Sequence, residues 1–429
     1  MRNLYIVLIV VLLFNGAELL GQKNTNSPYS RFGLGEMSKN GFEKSRALGG
    51  IGVGMRDNDQ INYLNPASYT AVDTLSFMFN FGLRSGRTSY QTNNMSDDNV
   101  TINFDHLAIA FPITKWWKTS FGVMPFSSVG YSIEETGFIQ NNEAVDYFYE
   151  GVGGFNQVYL GTAFNPFGGL NFGFNAFYLF GSLDLSRTLQ FPNNTEYSVS
   201  RLDQRLIIHD FTYQIGLQYT HTFAEDYTVT LGGIYNLKSA VSADNTYTSR
   251  NFFDGTEVPI NDSTIIGTEF IIQELSNEGK LDIPSRYGLG FTFRYNNMLL
   301  VGFDYYAQDW TNSSFFGQKQ PLTNSNSIHT GIEITPNPEA FRGYHKRIHY
   351  RVGGHYENSY LMLRGEQLKD YGISFGVGLP FKNTKTSFNF AVDMGKRGTL
   401  NNNLIQENYM FFSFSVTLHD FWFLKRKFD

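Results

Sequence analysis

Three histidines, His345, His349 and His355, are the first residues whose type and spacing invite chemistry, because neutral imidazoles are common metal ligands. On an extended strand, four and six residues separate them by roughly 13 and 20 Å, too far to share one ion. Arg351 falls on the same face as His349 and His355, which makes this a row of polar groups lining a wet interior, not a metal centre. Arg294, Asp304 and Asp393 read the same way, since such charges are cheap toward water and costly toward lipid. With no cysteine in the chain, thiol catalysis and Cys-ligated zinc are excluded. No Gly-x-Ser-x-Gly elbow is present, and no His and Ser recur on one strand face beside an orienting acid. The glycine pairs Gly33/Gly35 and Gly52/Gly54 precede no strand–helix unit, which removes nucleotide binding. The expectation is a non-enzyme with no catalytic residues, no metal and no cofactor.

The elements that would hold that polar row come from composition and periodicity. The 429 residues include only 17% charged side chains against 17% aromatic, with 41 Phe, 26 Tyr and 42 Gly. A soluble chain carries roughly 25% charged residues. No apolar run approaches the about 20 residues of a membrane helix, so the profile is that of a membrane β-barrel. A net charge of −6 argues against nucleic acid as a partner. Arg2, the apolar Leu4–Phe14 and the small residues Gly16, Ala17 and Gly21 follow the order of an export signal over 1–21.

From Thr74 the pattern has period two. Met410, Phe412, Phe414, Val416 and Leu418 alternate with Ser413, Ser415 and Thr417, and Phe388, Phe390 and Val392 alternate with Ser387, Asn389 and Ala391. An apolar face opposite a small or polar one fits lipid outside and water inside. Tight links such as Lys115–Lys118 and Asn296–Asn297 alternate with long polar segments, among them Glu134–Gly153, Ser249–Pro284 and Asn358–Lys369. This predicts an all-β, antiparallel transmembrane barrel of about fourteen strands over 74–420, an extra hairpin being possible at Thr264–Leu275. A basic tail occupies 421–429. Trp116-Trp117 and Phe421-Trp422-Phe423 suit an interfacial girdle. Pro125 is anomalous, lying inside the run Phe121, Val123, Ser127, Val129, Tyr131, where it cannot donate to a ladder.

Residues 22–73 do not alternate and are rich in glycine, as suits a segment that bends tightly and lies close to other backbone. Such a segment is expected to fill a barrel too wide for side chains alone to close. Its Ala47–Gly54 run (Gly49, Gly50, Gly52 and Gly54 within it), the Asp57-Asn58-Asp59 group and Asn65-Pro66-Ala67 resemble the N-terminal hatch of the FadL-type outer-membrane transport family. The opening Ser27-Pro28-Tyr29-Ser30-Arg31-Phe32-Gly33 and the basic end resemble a Bacteroidetes-type branch of it, which also includes plug and shuttle proteins of type IX secretion. The resemblance implies passive uptake of hydrophobic small molecules, fatty-acid-like ones included, across the outer membrane. Lateral release would follow an inward kink in the third strand, here at Pro125, Phe126 and Ser127. The polar row would anchor the hatch through Asp57 and Asp59, with Asn65 and Pro66 shaping a turn. The partners implied are outer-membrane lipid and an apolar ligand. The alternative is a structural subunit of an envelope protein complex.

Overall fold

The computed structural model describes residues 25–139, 143–193, 197–252, 269–381 and 384–421. The expected signal segment and nearly all of the expected basic tail lie outside them. Fourteen antiparallel strands close on themselves. They are β1 (Ser76–Gln91), β2 (Ser96–Pro112), β3 (Trp117–Phe138), β4 (Ala144–Phe167), β5 (Leu170–Gln190) and β6 (Val199–Phe223). Next come β7 (Tyr227–Asn236 and Ser239–Phe252), β8 (Glu269–Ile283 and Arg286–Tyr295), β9 (Leu299–Gln308) and β10 (Ser325–Ile334). The last four are β11 (His349–Leu363), β12 (Glu366–Pro380), β13 (Ser387–Gly398) and β14 (Gln406–Phe421). β7 is one strand in two pieces, because both pieces pair with β6. The pieces of β8 pair with them in turn, interrupted at Pro284, which has no N–H to give. The barrel closes by β14 pairing with β1 from Gln406↔Gln91 to Phe421↔Ser76.

The alternation sorts faces as a membrane barrel requires. Phe412 and Leu418 are exposed outside, whereas Ser413, Ser415 and Thr417 are buried inside. Trp116 and Trp117 stack with Phe164 at the turn end of β3, with ring centroids 6.0 and 5.8 Å away. Several segments expected as loops are strand instead. Glu134–Phe138 extends β3, the chain from Glu269 completes a hairpin with Ser239–Phe252, and Asn358–Lys369 shrinks to the turn Arg364-Gly365. Beyond the lipid both faces meet water, so the apolar alternation ends while the hydrogen-bond ladder continues. β6 has 25 residues, against the 9–11 that cross a bilayer.

The chain from Thr25 to Val72 runs inside the barrel wall. It holds the 3-10 turn Pro28–Arg31, a two-residue strand Glu36–Met37, helix α1 (Glu43–Ala47) and the 3-10 turn Pro66–Ala71. Leu48, Ile51, Val53 and Ala67 have no exposed surface.

Candidate functional site

Along most of the wall each strand is paired from end to end on both sides. The β2–β3 seam departs from this, as does the outer piece of β8, whose far edge finds a ladder partner only at Leu281↔Phe315. Between β2 and β3, pairing runs from Pro112↔Lys118 to Leu107↔Val123 and stops. Two bulges lie just past the last pair. In β2 the β1 register slips between Gly82 and Leu83, leaving Asp105 as the extra residue. In β3 the β4 register slips between Pro125 and Ser127, leaving Phe126 as the extra residue. An inserted residue bends a strand and exchanges its faces. Below the β3 bulge Phe121 is exposed outside, whereas above it Val129 and Tyr131 are buried inside, packed with Tyr29 and Leu34. The single alternating face expected through Phe121, Val123, Ser127, Val129 and Tyr131 is therefore two opposite faces joined by a bulge.

The freed edge of β3 takes a partner from the N-terminal segment. Met37 pairs with Ser127 and Glu36 with Ser128. The Ser38 N–H donates to the Phe126 carbonyl at 3.0 Å, and the Gly130 N–H donates to Ser30 Oγ at 3.1 Å. Ser127 is buried with its hydroxyl lacking a hydrogen-bond partner. Behind the seam is a cavity of about 80 Å³, reached by Phe104 and Asp105 from β2 and by Met124 and Pro125 from β3. Phe42, Met37 and Phe411 give it apolar wall, but Glu36, Lys39, Arg46, Arg84, Arg397 and Glu407 also reach it. Arg84 lies over the Phe411 ring at 3.9 Å, its Nε without a hydrogen-bond acceptor.

The N-terminal segment is held by ion pairs to the inner wall. Lys39 meets Asp370 at 2.5 Å, and Arg397 meets Glu36 at 2.7 Å and Asp370 at 3.2 Å. Lys44 lies 3.1 Å from Asp57 and 3.5 Å from Glu333, while Asp59 is 3.9 Å away. Burial alone would raise the Asp57 carboxyl, but Lys44 and Arg294 hold it below the usual carboxylate range. Burial would likewise raise Glu36, and Arg397 keeps it low.

The expected polar row thus divides. Arg294 bonds Asp57 directly, and Asp304 accepts the Gly52 and Val53 N–H groups at 2.6 and 2.7 Å. Arg351 reaches the segment only through Glu333, at 2.6 Å. His349 bonds Thr335 at 2.7 Å and does not touch the segment. His355 bonds Tyr409 at 3.0 Å, with Asp370 at 3.4 Å and Asp393 at 3.9 Å. Lys44, Glu333, Asp370 and Arg397 carry the network, and the pairs that join segment to wall, Lys44–Glu333, Lys39–Asp370 and Glu36–Arg397, span hundreds of residues, so no spacing marked them.

The glycines and the Asn-Pro-Ala group fit the wall by shape. Gly49, at φ 72°, places its N–H on Ser374 Oγ at 2.9 Å, against Gly353 and Gly354 of β11. Gly50 lies on His329, Gly52 beneath Leu64, and Gly54 on the Phe291 backbone. Asn65 accepts the Ala67 N–H at 3.1 Å and donates to Val53 O at 2.8 Å. Pro66 follows as the first residue of its 3-10 turn, its fixed φ suited to that place. At the other end Ser27 caps the turn begun by Pro28 and donates to Glu407, Tyr29 donates to Ile405 O, and Phe32 stays partly exposed.

The class is now defined: a closed fourteen-stranded barrel with an internal N-terminal segment and one opened seam. The chain belongs to the BamG family, whose model matches residues 1–429. No curated protein matches it by sequence. Among solved structures it is similar to a Pseudomonas aeruginosa FadL homologue, at 12% identity and TM-score 0.60 over 90% of this chain and 99% of that one. The Ralstonia pickettii toluene transporter TbuX matches at 14% and 0.58 over 88% and 98%. The CymD monoaromatic hydrocarbon channel matches at 15% and 0.55 over 88% and 97%. The barrel is therefore of the FadL type in fold.

Proposed function

We propose that this chain is an outer-membrane barrel that lets small apolar or amphipathic molecules pass sideways through the β2–β3 seam, with the N-terminal segment as its hatch. The observation that carries this reading is the paired bulges at Asp105 and Phe126, which end the ladder at Leu107↔Val123 and open the wall onto a cavity. The FadL-type fold of the solved hydrocarbon and toluene channels supports it. A ligand with an apolar body would lie along Met37, Phe42 and Met124 while a polar group meets Arg84. Its driving force would be removal of apolar surface from water, at about 25 cal/mol per Å². Pro125, Phe126 and Ser127 would form the gate and the Ser27–Phe32 turn its movable end.

A second reading, a structural subunit of an envelope assembly, is favoured by the charges around the cavity and the ion pairs that fix the hatch. A freely moving hatch would have to break them. Purification from native membranes in mild detergent, with bound lipids and copurifying proteins identified by mass spectrometry, separates the two. A lone barrel carrying an apolar compound supports passage, and deleting Phe126 should then abolish its retention. A stoichiometric protein complex with no ligand would replace the channel reading by the structural one.

A further inference from the structure

The β2 bulge has a chemical consequence separate from the open seam. Consecutive residues on a strand point to opposite faces, yet Asp105 and His106 are both buried inside, because the register slip turns both inward. Glu43, in the first turn of α1, meets them from the N-terminal segment, and the three donor atoms all lie within 4.8 Å of one another. His106 Nδ1 is 2.7 Å from Asp105 Oδ2 and 3.8 Å from Glu43 Oε1. Glu43 is 1% exposed, and among the described residues no other donates a hydrogen bond to either of its oxygens.

The surrounding bonds fix which atoms are free. Gln60 Nε2 donates to Ser387 at 3.1 Å, so its Oε1 accepts from Thr417 at 3.1 Å. Thr417 accepts from Asn80 Nδ2 at 3.1 Å, which turns Asn80 Oδ1 toward His106 Nε2 at 2.7 Å. Nε2–H thereby donates to Asn80 Oδ1, while Nδ1 faces two carboxylates and shares with Asp105 Oδ2 a hydrogen bond whose proton a cation would displace. Arg46 takes Asp105 Oδ1 at 2.5 Å and leaves Oδ2 toward Nδ1. Phe42 stacks on the imidazole at 3.6 Å, and Gly82 supplies the space in which Glu43 and His106 meet. An imidazole held by an amide on its other nitrogen, with two carboxylate oxygens beside it, is the ligand and supporting shell of a first-row divalent cation.

We infer that Glu43, Asp105 and His106 form a divalent-cation site that ties α1 of the N-terminal segment to β2. Zinc at about 2.0–2.2 Å from each donor requires His106 and Asp105 to part, the proton between them to leave and Glu43 to close in.

The test is zinc titration of the full-length, detergent-purified barrel after EDTA treatment and dialysis, with bound metal counted by mass spectrometry. One zinc per chain is expected. Glu43→Gln, outside the barrel wall, and His106→Gln should each lower retention at least tenfold, and Asn80→Ala should weaken affinity by about 10- to 100-fold. Heat-modifiable migration confirms that each variant is folded. A folded wild-type barrel that retains no zinc overturns the proposal, and so does equal retention by wild type and a folded Glu43→Gln variant.

Discussion

The β14–β1 seam and the β2–β3 seam join strands of similar length and end differently. The first pairs sixteen residues without a slip, and the second pairs six. Both have polar residues inside and apolar residues outside, so composition does not separate them. The difference is one extra residue on each side of the second seam, Asp105 and Phe126, which bends both strands where the N-terminal segment arrives. An opening in a barrel thus needs no missing strand. It needs two insertions in register and a second piece of backbone, here Glu36–Met37, to satisfy part of the freed edge. Free edges inside a bilayer leave polar groups unpaired at a cost of several kcal/mol each, so an edge so treated marks purpose.

Hydrogen exchange offers the largest contrast between the seams. Alternate amides of β3 from Ser132 to Phe138 should exchange on the order of a thousandfold faster than those of β14 facing β1, because only the latter need wide opening. Equal protection would mean that the β2–β3 seam is closed in the membrane. Deleting Phe126 should bring the fast amides toward the slow ones, whereas Pro125→Ala should leave them fast, since the extra residue opens the seam.

A smaller effect probes what holds the segment behind the gap. Glu333→Ala leaves Lys44 and Arg351 buried without their shared carboxylate. It should cost about 3–5 kcal/mol in urea unfolding and expose the N-terminal segment to protease. A loss below 1 kcal/mol would show that the ion pairs are incidental to its anchoring.

The smallest effect tests shape. A side chain on Gly173 would strike the Pro66–Ala67 backbone, whereas Gly168 faces open space. Gly173→Val should therefore destabilise by about 1–3 kcal/mol, and Gly168→Ala should be nearly neutral, in the same unfolding assay. Equal effects would mean that the Asn65-Pro66-Ala67 turn docks loosely.

Much of this was legible in the residues. Period-two alternation is a local property, so strand number, face and closure could be read wherever lipid lies on one side and water on the other. The Met410–Leu418 run is an example. The turn shaped by Asn65 and Pro66 was equally local. Where both faces meet water, as over Glu134–Phe138, the alternation vanished and strand looked like loop. Pro125 drew attention to the right place, but the inversion of faces there depends on Phe126 having no register partner on β4, which is a property of β4 as much as of β3.

By itself, then, the sequence determined an antiparallel barrel of about fourteen strands, because neighbouring residues must satisfy lipid, water and backbone bonding one strand at a time. Tertiary structure alone decided the open seam, the division of the polar row into anchors and bystanders, and the meeting of Glu43 with Asp105 and His106. Each of these depends on register between strands or on contact across hundreds of residues, and the spacing along one strand carries no record of either.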